Sequence, residues 1–376
     1  MYEQMQGFLL VLAQQTGLAQ LWWGNIVMIL VGASLIYLAI KKRYEPFLLI
    51  GIGFACIIAN VPGSDITQPG GLFGLAYQGV AQLIVPPLIF LGVGAMTDFG
   101  PMIANPSLVI LGAAAHLGIF VAMIAAKFVG FSIGEAGAIG IIGGADGPMA
   151  IYVTMKLAPH LLPQISVAAY SYMALMPLIQ PPVMKLLTTK EERQIIMDQT
   201  RYVSRLEKIV FPVVIAIVVN LMLPPVAPLI TMMMLGNLFR ECLLVDRLAD
   251  TAANEILNII TIVLTVAIGS TMEASQFLNW KTLQIILLGL VAFVFGTASG
   301  VIAARIMNKL SGGKVNPLVG SAGIASVPIA ARVSHLVAQK ENPYNYLIMH
   351  AMGPNLAGVF GTAISGGIML ALLGVK

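Results

Sequence analysis

A single carboxylate, Asp146, stands in Gly143-Gly144-Ala145-Asp146-Gly147-Pro148, a Gly- and Pro-rich interruption of an otherwise apolar stretch. An ionisable residue at membrane depth costs about 2.5–3.5 kcal/mol even on lenient insertion scales, so it marks a functional site by default. Beside backbone carbonyls released by a helix break, a carboxylate makes a hard oxygen cage. Such a cage suits Na+ by the logic that governs Ca2+ and Mg2+. The same group would equally serve a proton, and residue chemistry leaves that choice open. The structural alternative is a helix N-cap, a position Asp favours.

Further oxygen donors sit at comparable breaks. Asn316 opens a second interrupted stretch, and Asn355 follows Pro354 in Met352-Gly353-Pro354-Asn355. Pro354 frees a carbonyl one turn back, so Asn355 offers an amide oxygen beside it. Either Asn could instead cap a half-helix or hydrogen-bond between helices. Tyr172, in Ser171-Tyr172-Met173 near Pro177, is expected to face the first break, or else to pack with one hydrogen bond. Arg332 is the only Arg in either interrupted stretch. Its guanidinium would hold a carboxylate bidentately, or snorkel at a helix end. His116, His160, His335 and His350 have no metal-ligand spacing. No Walker motif, nucleotide fingerprint or Ser-His-Asp order is present, so ATP-driven transport is not expected.

The elements that hold these residues follow from composition. The chain has 376 residues, 58% hydrophobic and 10% charged, with mean hydropathy +0.91. A soluble domain carries about a quarter charged residues. The class is therefore an all-α polytopic membrane protein. Apolar stretches near 24–40, 46–61, 80–97, 107–129, 164–187, 209–223, 226–239, 253–273, 282–305 and 345–373 are the expected spans, about ten in all. Two more, 133–158 and 316–338, are broken by Gly, Pro and polar residues. Cys56 and Cys242 lie in or beside apolar stretches, so neither a disulfide framework nor a thiolate metal site is expected. No Lys or Arg precedes Lys41, which argues against a secretory signal and for a retained N-terminal stretch.

Charge placement orients the spans, because cytoplasmic loops collect Lys and Arg. Lys41, Lys42 and Arg43 follow the first span, and the 188–208 stretch carries Lys190, Arg193, Arg201, Arg205 and Lys208. Both fall inside only if 133–158 enters and leaves by one face as a re-entrant hairpin. Arg240, Arg247, Arg305, Lys309, Lys314 and Lys340 agree if 316–338 does likewise. Lys127, Lys156, Lys281 and Lys376 then fall outside, as do both termini, with Trp22 and Trp23 at the outer interface. The halves, 1–208 and 209–376, each read as five spans and a hairpin of opposite orientation. Inverted repeats with broken helices place substrate near the membrane midplane, as in secondary transporters. The expected architecture is elevator-transporter-like.

Five motifs carry a resemblance: Gly143-Gly144-Ala145-Asp146-Gly147-Pro148, Ser171-Tyr172-Met173-Ala174-Leu175-Met176-Pro177, Asn316-Pro317-Leu318-Val319-Gly320-Ser321-Ala322-Gly323, Ala330-Ala331-Arg332-Val333 and His350-Ala351-Met352-Gly353-Pro354-Asn355. In this order the chain resembles the β subunit of the sodium-translocating, biotin-dependent decarboxylases. That family includes the oxaloacetate, methylmalonyl-CoA and glutaconyl-CoA decarboxylases. The resemblance implies that biotin carried on a partner subunit brings a carboxyl group to this subunit. Its loss then drives Na+ outward across a bacterial cytoplasmic membrane. Implied partners are a carboxyltransferase subunit, a biotin-carrier subunit and a small membrane subunit. A homo-oligomer is expected and a nucleic acid is not.

The same resemblance implies catalytic roles for Asp146, Tyr172 and Arg332, and Na+ binding by Asp146, Asn316, Asn355 and Gly320. The family's Gly-Val-Ser-Ala-Val-Pro becomes Gly323-Ile324-Ala325-Ser326-Val327-Pro328 here. The hydroxyl is one residue later, so Ser326 joins the expected Na+ ligands, with Ser321 as a second candidate. Two other classes compete. A stand-alone sodium-coupled carboxylate carrier would share the architecture, whereas a non-catalytic membrane anchor would leave Asp146 without a reason.

Overall fold

The computed structural model describes residues 16–374, with no β-strand among the described residues. The main helices begin with α1 (Trp23–Lys42), α2 (Pro46–Ala59), α3 (Leu72–Ala81), α4 (Val85–Met96) and α5 (Val109–Ala115). They continue with α6 (Leu117–Val129), α7 (Ile133–Gly140), α8 (Gly147–Leu157), α9 (Leu162–Leu187) and α10 (Arg205–Met222). The last are α11 (Ala227–Cys242), α12 (Leu257–Ser270), α13 (Trp280–Leu310), α14 (Ile329–Glu341) and α15 (Ile348–Leu373).

Among the described residues, six helices are long and apolar enough to cross a membrane: Trp23–Lys42, Pro106–Val129, Pro159–Leu187, Asp246–Ser270, Trp280–Leu310 and Ile348–Leu373. A seventh forms if Asp65–Ala81 and Val85–Met96 count as one broken span. The apolar pattern had marked ten. The expected spans 46–61, 209–223 and 226–239 are α2, α10 and α11, of 14, 18 and 16 residues. At 1.5 Å per residue α2 reaches about 21 Å, against a hydrocarbon core of roughly 30 Å. For α10 a first turn of Arg205, Glu207 and Lys208 adds charge. The outer placement expected for the chain ends, Lys376 included, lies outside the described residues.

The chain divides into two compact units, Met1–Val85 with Ile259–Leu283, and Pro86–Asn258 with Gln284–Lys376. Each draws on both halves of the sequence, so compactness does not follow the expected division at 208/209. In the first unit, α1 and α2 meet at glycines: a Cβ on Gly32 would stand 2.6 Å from the Gly53 carbonyl oxygen. The Asn60 amide donates to Met272 O (2.8 Å) and accepts from Ala274 N (2.9 Å), tying the end of α2 to the chain after α12.

The second unit holds both interrupted stretches, and both are helix breaks. In the first, α7 starts in a capping box between Ser132 and Glu135. It tightens into a 3-10 turn at Ile141–Gly144 and stops. Ala145 turns the chain at φ 51°, and α8 restarts with Asp146 as N-cap and Pro148 in its first turn. Ala145, and neither Gly143 nor Gly144 before it, adopts the positive φ. The glycines' lack of a side chain serves close approach. A Cβ on Gly143 would lie 2.9 Å from the Ala292 Cβ, and one on Gly144 would lie 2.6 Å from Thr362 Cγ2.

In the second stretch a 3-10 segment, Pro317–Gly323, leads through 324–328 into α14. The two breaks touch, since the Ala325 amide donates to the Gly144 carbonyl at 3.0 Å. Helix α15 runs buried behind them for most of its length. The linker of 188–208 packs on the same unit. Arg193 pairs with Glu341 at 3.1 Å, and Arg305 with Glu192 at 2.6 Å. Ahead of the expected 209–223 span, Arg201 and then the Ser204 amide hold the Glu207 carboxyl down at about 2.

Candidate functional site

The Asp146 carboxylate caps α8 by accepting from Met149 N at 3.0 Å. Capping is therefore real, and it occupies one oxygen. Asp146 is only 7% exposed, and it borders a cavity of about 100 Å3. At roughly 30 Å3 per water, that space takes a cation together with a few waters. Ala325, Ser326 and Val327 of the second break form another wall, and Met173, Phe90 and Val359 contribute apolar surface. Among the described residues, no group of three or more His, Cys, Asp or Glu side chains is placed to hold a metal. A monovalent cation balanced by one carboxylate fits this donor set; a site for a more highly charged ion would need more acid.

Of the residues singled out in sequence, Asp146 and Ser326 meet at this cavity. The Ser326 hydroxyl is buried and donates to Met176 Sδ at 3.1 Å. Thioether sulfur is a weak acceptor, so the oxygen keeps its lone pairs free. Ser321 is spent elsewhere, donating to Leu318 O (2.8 Å) and sharing a 2.8 Å contact with Ser334.

Asn355 stands directly behind. Its amide nitrogen donates to Ala322 O (3.0 Å) and Ile324 O (2.7 Å), holding the carbonyls of the second break. Its side-chain oxygen is buried without a hydrogen-bond partner. Such orphaned acceptors cost about 1–3 kcal/mol each, and they cluster where something else binds. One turn along α15 from Asn355, Val359 lines the cavity.

Asn316 lies at the far end of the 3-10 segment, which it caps through Leu318 N at 3.0 Å. Its amide donates to Arg193 O (3.0 Å) and Ile195 O (2.8 Å), clamping the linker. Gly320 allows a close crossing with α13, since a Cβ there would stand 2.0 Å from the Gly300 carbonyl oxygen. Arg332 is exposed, one turn into α14 beyond the break, and has no carboxylate partner among the described residues. These three border the second break's frame, and none lines the Asp146 cavity.

Helix α9 decides which tyrosine faces Asp146. Tyr170, Met173, Met176 and Gln180 recur at helical spacing. They turn toward the breaks: Tyr170 against Gly147, Met173 at the cavity, Met176 on Ser326, and Gln180 donating to Ser321 O at 2.9 Å. Tyr172 is off this face. It donates to Ile286 O and stacks on Phe293 at 6.3 Å. Tyr170 was missed in sequence. A Cβ on Gly147 would meet its hydroxyl at 2.6 Å, and that hydroxyl is buried with no partner. The signal was available in the phase of α9, because Tyr170 shares the stripe of Met173 and Tyr172 does not.

The chain matches the family model described as the Na+-transporting oxaloacetate decarboxylase beta subunit over residues 24–373. It is 58% identical over 363 residues to the glutaconyl-CoA decarboxylase subunit beta of Acidaminococcus fermentans, covering 96% of this chain and 97% of that protein. It is 57% identical over 350 residues to the methylmalonyl-CoA decarboxylase subunit beta of Veillonella parvula, covering 93% of each. The probable oxaloacetate decarboxylase beta chain of Vibrio cholerae is 46% identical over 425 aligned residues, covering 96% and 98%.

Proposed function

The chain belongs to the β-subunit family of the Na+-transporting decarboxylases, and we propose that it couples loss of a carboxyl group from partner-borne biotin to outward Na+ movement through the Asp146 site. The observation that carries this reading is the buried carboxylate of Asp146 at a cavity shared by two hydrogen-bonded helix breaks. The relatives favour it over a stand-alone carboxylate carrier.

Sodium is the cargo. One Asp146 oxygen stays on Met149 N, and the other faces the ion together with Ser326 Oγ and carbonyls of the breaks. Asn355 holds the second break's carbonyls in place, and its free oxygen adds a neutral donor nearby. Tyr170 offers its hydroxyl from α9. Asn316 and Gly320 act at a distance, by fixing the linker and the approach to α13. The biotin on the partner subunit supplies a carboxyl group whose loss as CO2 releases energy and leaves a nitrogen that takes up a proton. Arg332 orients that carboxylate from α14. Asp146 holds either the ion or the proton, so exchange of one for the other links chemistry to transport. Tyr172 positions α9 against α13.

On this reading both interrupted stretches are re-entrant hairpins entering from opposite faces of an inverted repeat with ten crossings. A rigid, elevator-like movement of the paired breaks against other helices then exposes the ion outside. The subunit works with carboxyltransferase, biotin-carrier and small membrane subunits, and with further copies of itself, in a bacterial cytoplasmic membrane. The test is Na+ uptake by the purified complex in sealed proteoliposomes during turnover of its acyl substrate. Accumulation that tracks decarboxylation is expected. Gradient-driven carboxylate uptake by this chain alone, with no decarboxylation, would return the stand-alone carrier.

A further inference from the structure

We infer that the cleft between 196–200 of the linker and 344–350 is the docking site of the biotin ring system, occupied before the carboxyl group reaches Arg332. This rests on the function proposed above and adds where the partner's prosthetic group binds. The cleft has a volume of about 360 Å3, and its walls include Gln199, Tyr344, Asn345, Tyr346, Met349 and His350. That volume falls within the roughly 300–1,000 Å3 of small-molecule sites.

Three observations define the occupant's chemistry. First, Tyr344 and Tyr346 are 81% and 69% exposed, large aromatic surface left uncovered beside a cavity. Tyr346 is held in place by the His335 ring at 5.9 Å, and His335 Nδ1 accepts from Leu347 N at 3.2 Å. Second, His350 is only 8% exposed, and its Nδ1 has no hydrogen-bond partner. A buried ring nitrogen needs a polar partner, and the cleft is where one can stand. Third, the floor is fastened: Asn345 and Asn316 both donate to the carbonyls of Arg193 and Ile195. A flat cyclic urea fused to an apolar thioether ring matches this set, with polar edges for His350 and Gln199 and apolar faces for the tyrosines.

Placement agrees. The charge pattern puts 188–208 on the cytoplasmic side, where a soluble carrier operates. His335, which supports Tyr346, lies one turn of α14 from Arg332, and Arg332 in turn lies one turn from the second break. The cleft, the guanidinium and the Asp146 cavity are thus approached in sequence along α14.

The test is thiol accessibility in the assembled complex. Thr200→Cys, on the cleft wall, is introduced with Cys242→Ser; the remaining Cys56 is buried. Maleimide labelling is then compared between a complex with biotinylated carrier and one whose carrier lysine is unmodified. Labelling should be about three- to tenfold slower with biotin present, the range that aromatic packing provides. Free D-biotin should restore protection to the unmodified complex. Tyr346→Ala should abolish protection while leaving the unprotected labelling rate unchanged. Equal labelling of the two complexes, alongside normal substrate-driven Na+ uptake, would overturn the cleft and leave the underlying function standing. Absence of substrate-driven Na+ uptake in the native complex would overturn the underlying function itself.

Discussion

The amide of Ala325 donates to the carbonyl of Gly144 at 3.0 Å, so the breaks from opposite halves of the chain are joined backbone to backbone. This bond sets Ser326, the next residue, beside Asp146 at one cavity. A displacement of either break is therefore felt by the other. Both breaks are packed in protein and line a cavity, the conditions under which non-helical backbone is tolerated at membrane depth.

The two serines of the second break should separate cleanly. Ser326→Ala removes a hydroxyl at the cavity whose present acceptor is only a thioether. It should raise the Na+ concentration for half-maximal decarboxylation about fivefold, the equivalent of one neutral contact of about 1 kcal/mol. Ser321→Ala breaks bonds to Leu318 and Ser334 instead. It should lower the thermal midpoint of the complex without changing Na+ half-saturation. A reversed pattern in Na+ titrations would put the ion at Ser321.

The tyrosines give a second contrast. Tyr170→Phe deletes a buried hydroxyl that has no protein partner, so stability should hold while Na+ half-saturation rises several-fold. Tyr172→Phe deletes a bond to Ile286 O on α13. It should cost about 1 kcal/mol of stability and reduce turnover through misplacement of α9. Na+ titration and thermal melting of both variants, run side by side, check the assignment.

Much of this was legible in the residues. Gly and Pro around Asp146 marked the first break, and Asn316 opened the second. What the sequence could not show was which small residue takes the turn. Ala145 carries the positive φ because Gly143 and Gly144 are needed for contact with α13 and α15. Tyr172 was singled out and Tyr170 overlooked because the motif around Tyr172 was read without the rotational phase of α9, which puts Tyr170 on the stripe of Met173. Asn316 drew notice as an amide at a helix break, yet its partners, Arg193 and Ile195, lie far away in sequence. The apolar pattern marked helices by composition. It did not fix their lengths, such as the 14 residues of α2.

Arg332 should behave as a reader of carboxylate. Arg332→Lys keeps the charge and loses the planar fork. Decarboxylation should fall about tenfold or more at saturating Na+, with Na+ half-saturation changed less than twofold, as expected for loss of a bidentate, charge-assisted contact. Steady-state rates over a Na+ series decide this. Unchanged turnover would leave Arg332 a residue of the α14 surface.

The central claim is that Asp146 binds the transported ion. Protonation and Na+ would then compete for one carboxylate, so lowering the pH should raise the Na+ half-saturation of the native complex. Asp146→Asn keeps an acceptor for Met149 N, and with it the cap of α8, but removes the charge. The most direct measurement is 22Na+ uptake into inverted vesicles carrying the reconstituted complex, with decarboxylation followed in the same sample. The account predicts that Asp146→Asn assembles normally in the membrane and neither accumulates Na+ nor shows Na+-stimulated decarboxylation. Full Na+ uptake coupled to decarboxylation in Asp146→Asn would contradict it, leaving Asp146 a helix cap and the ion site elsewhere.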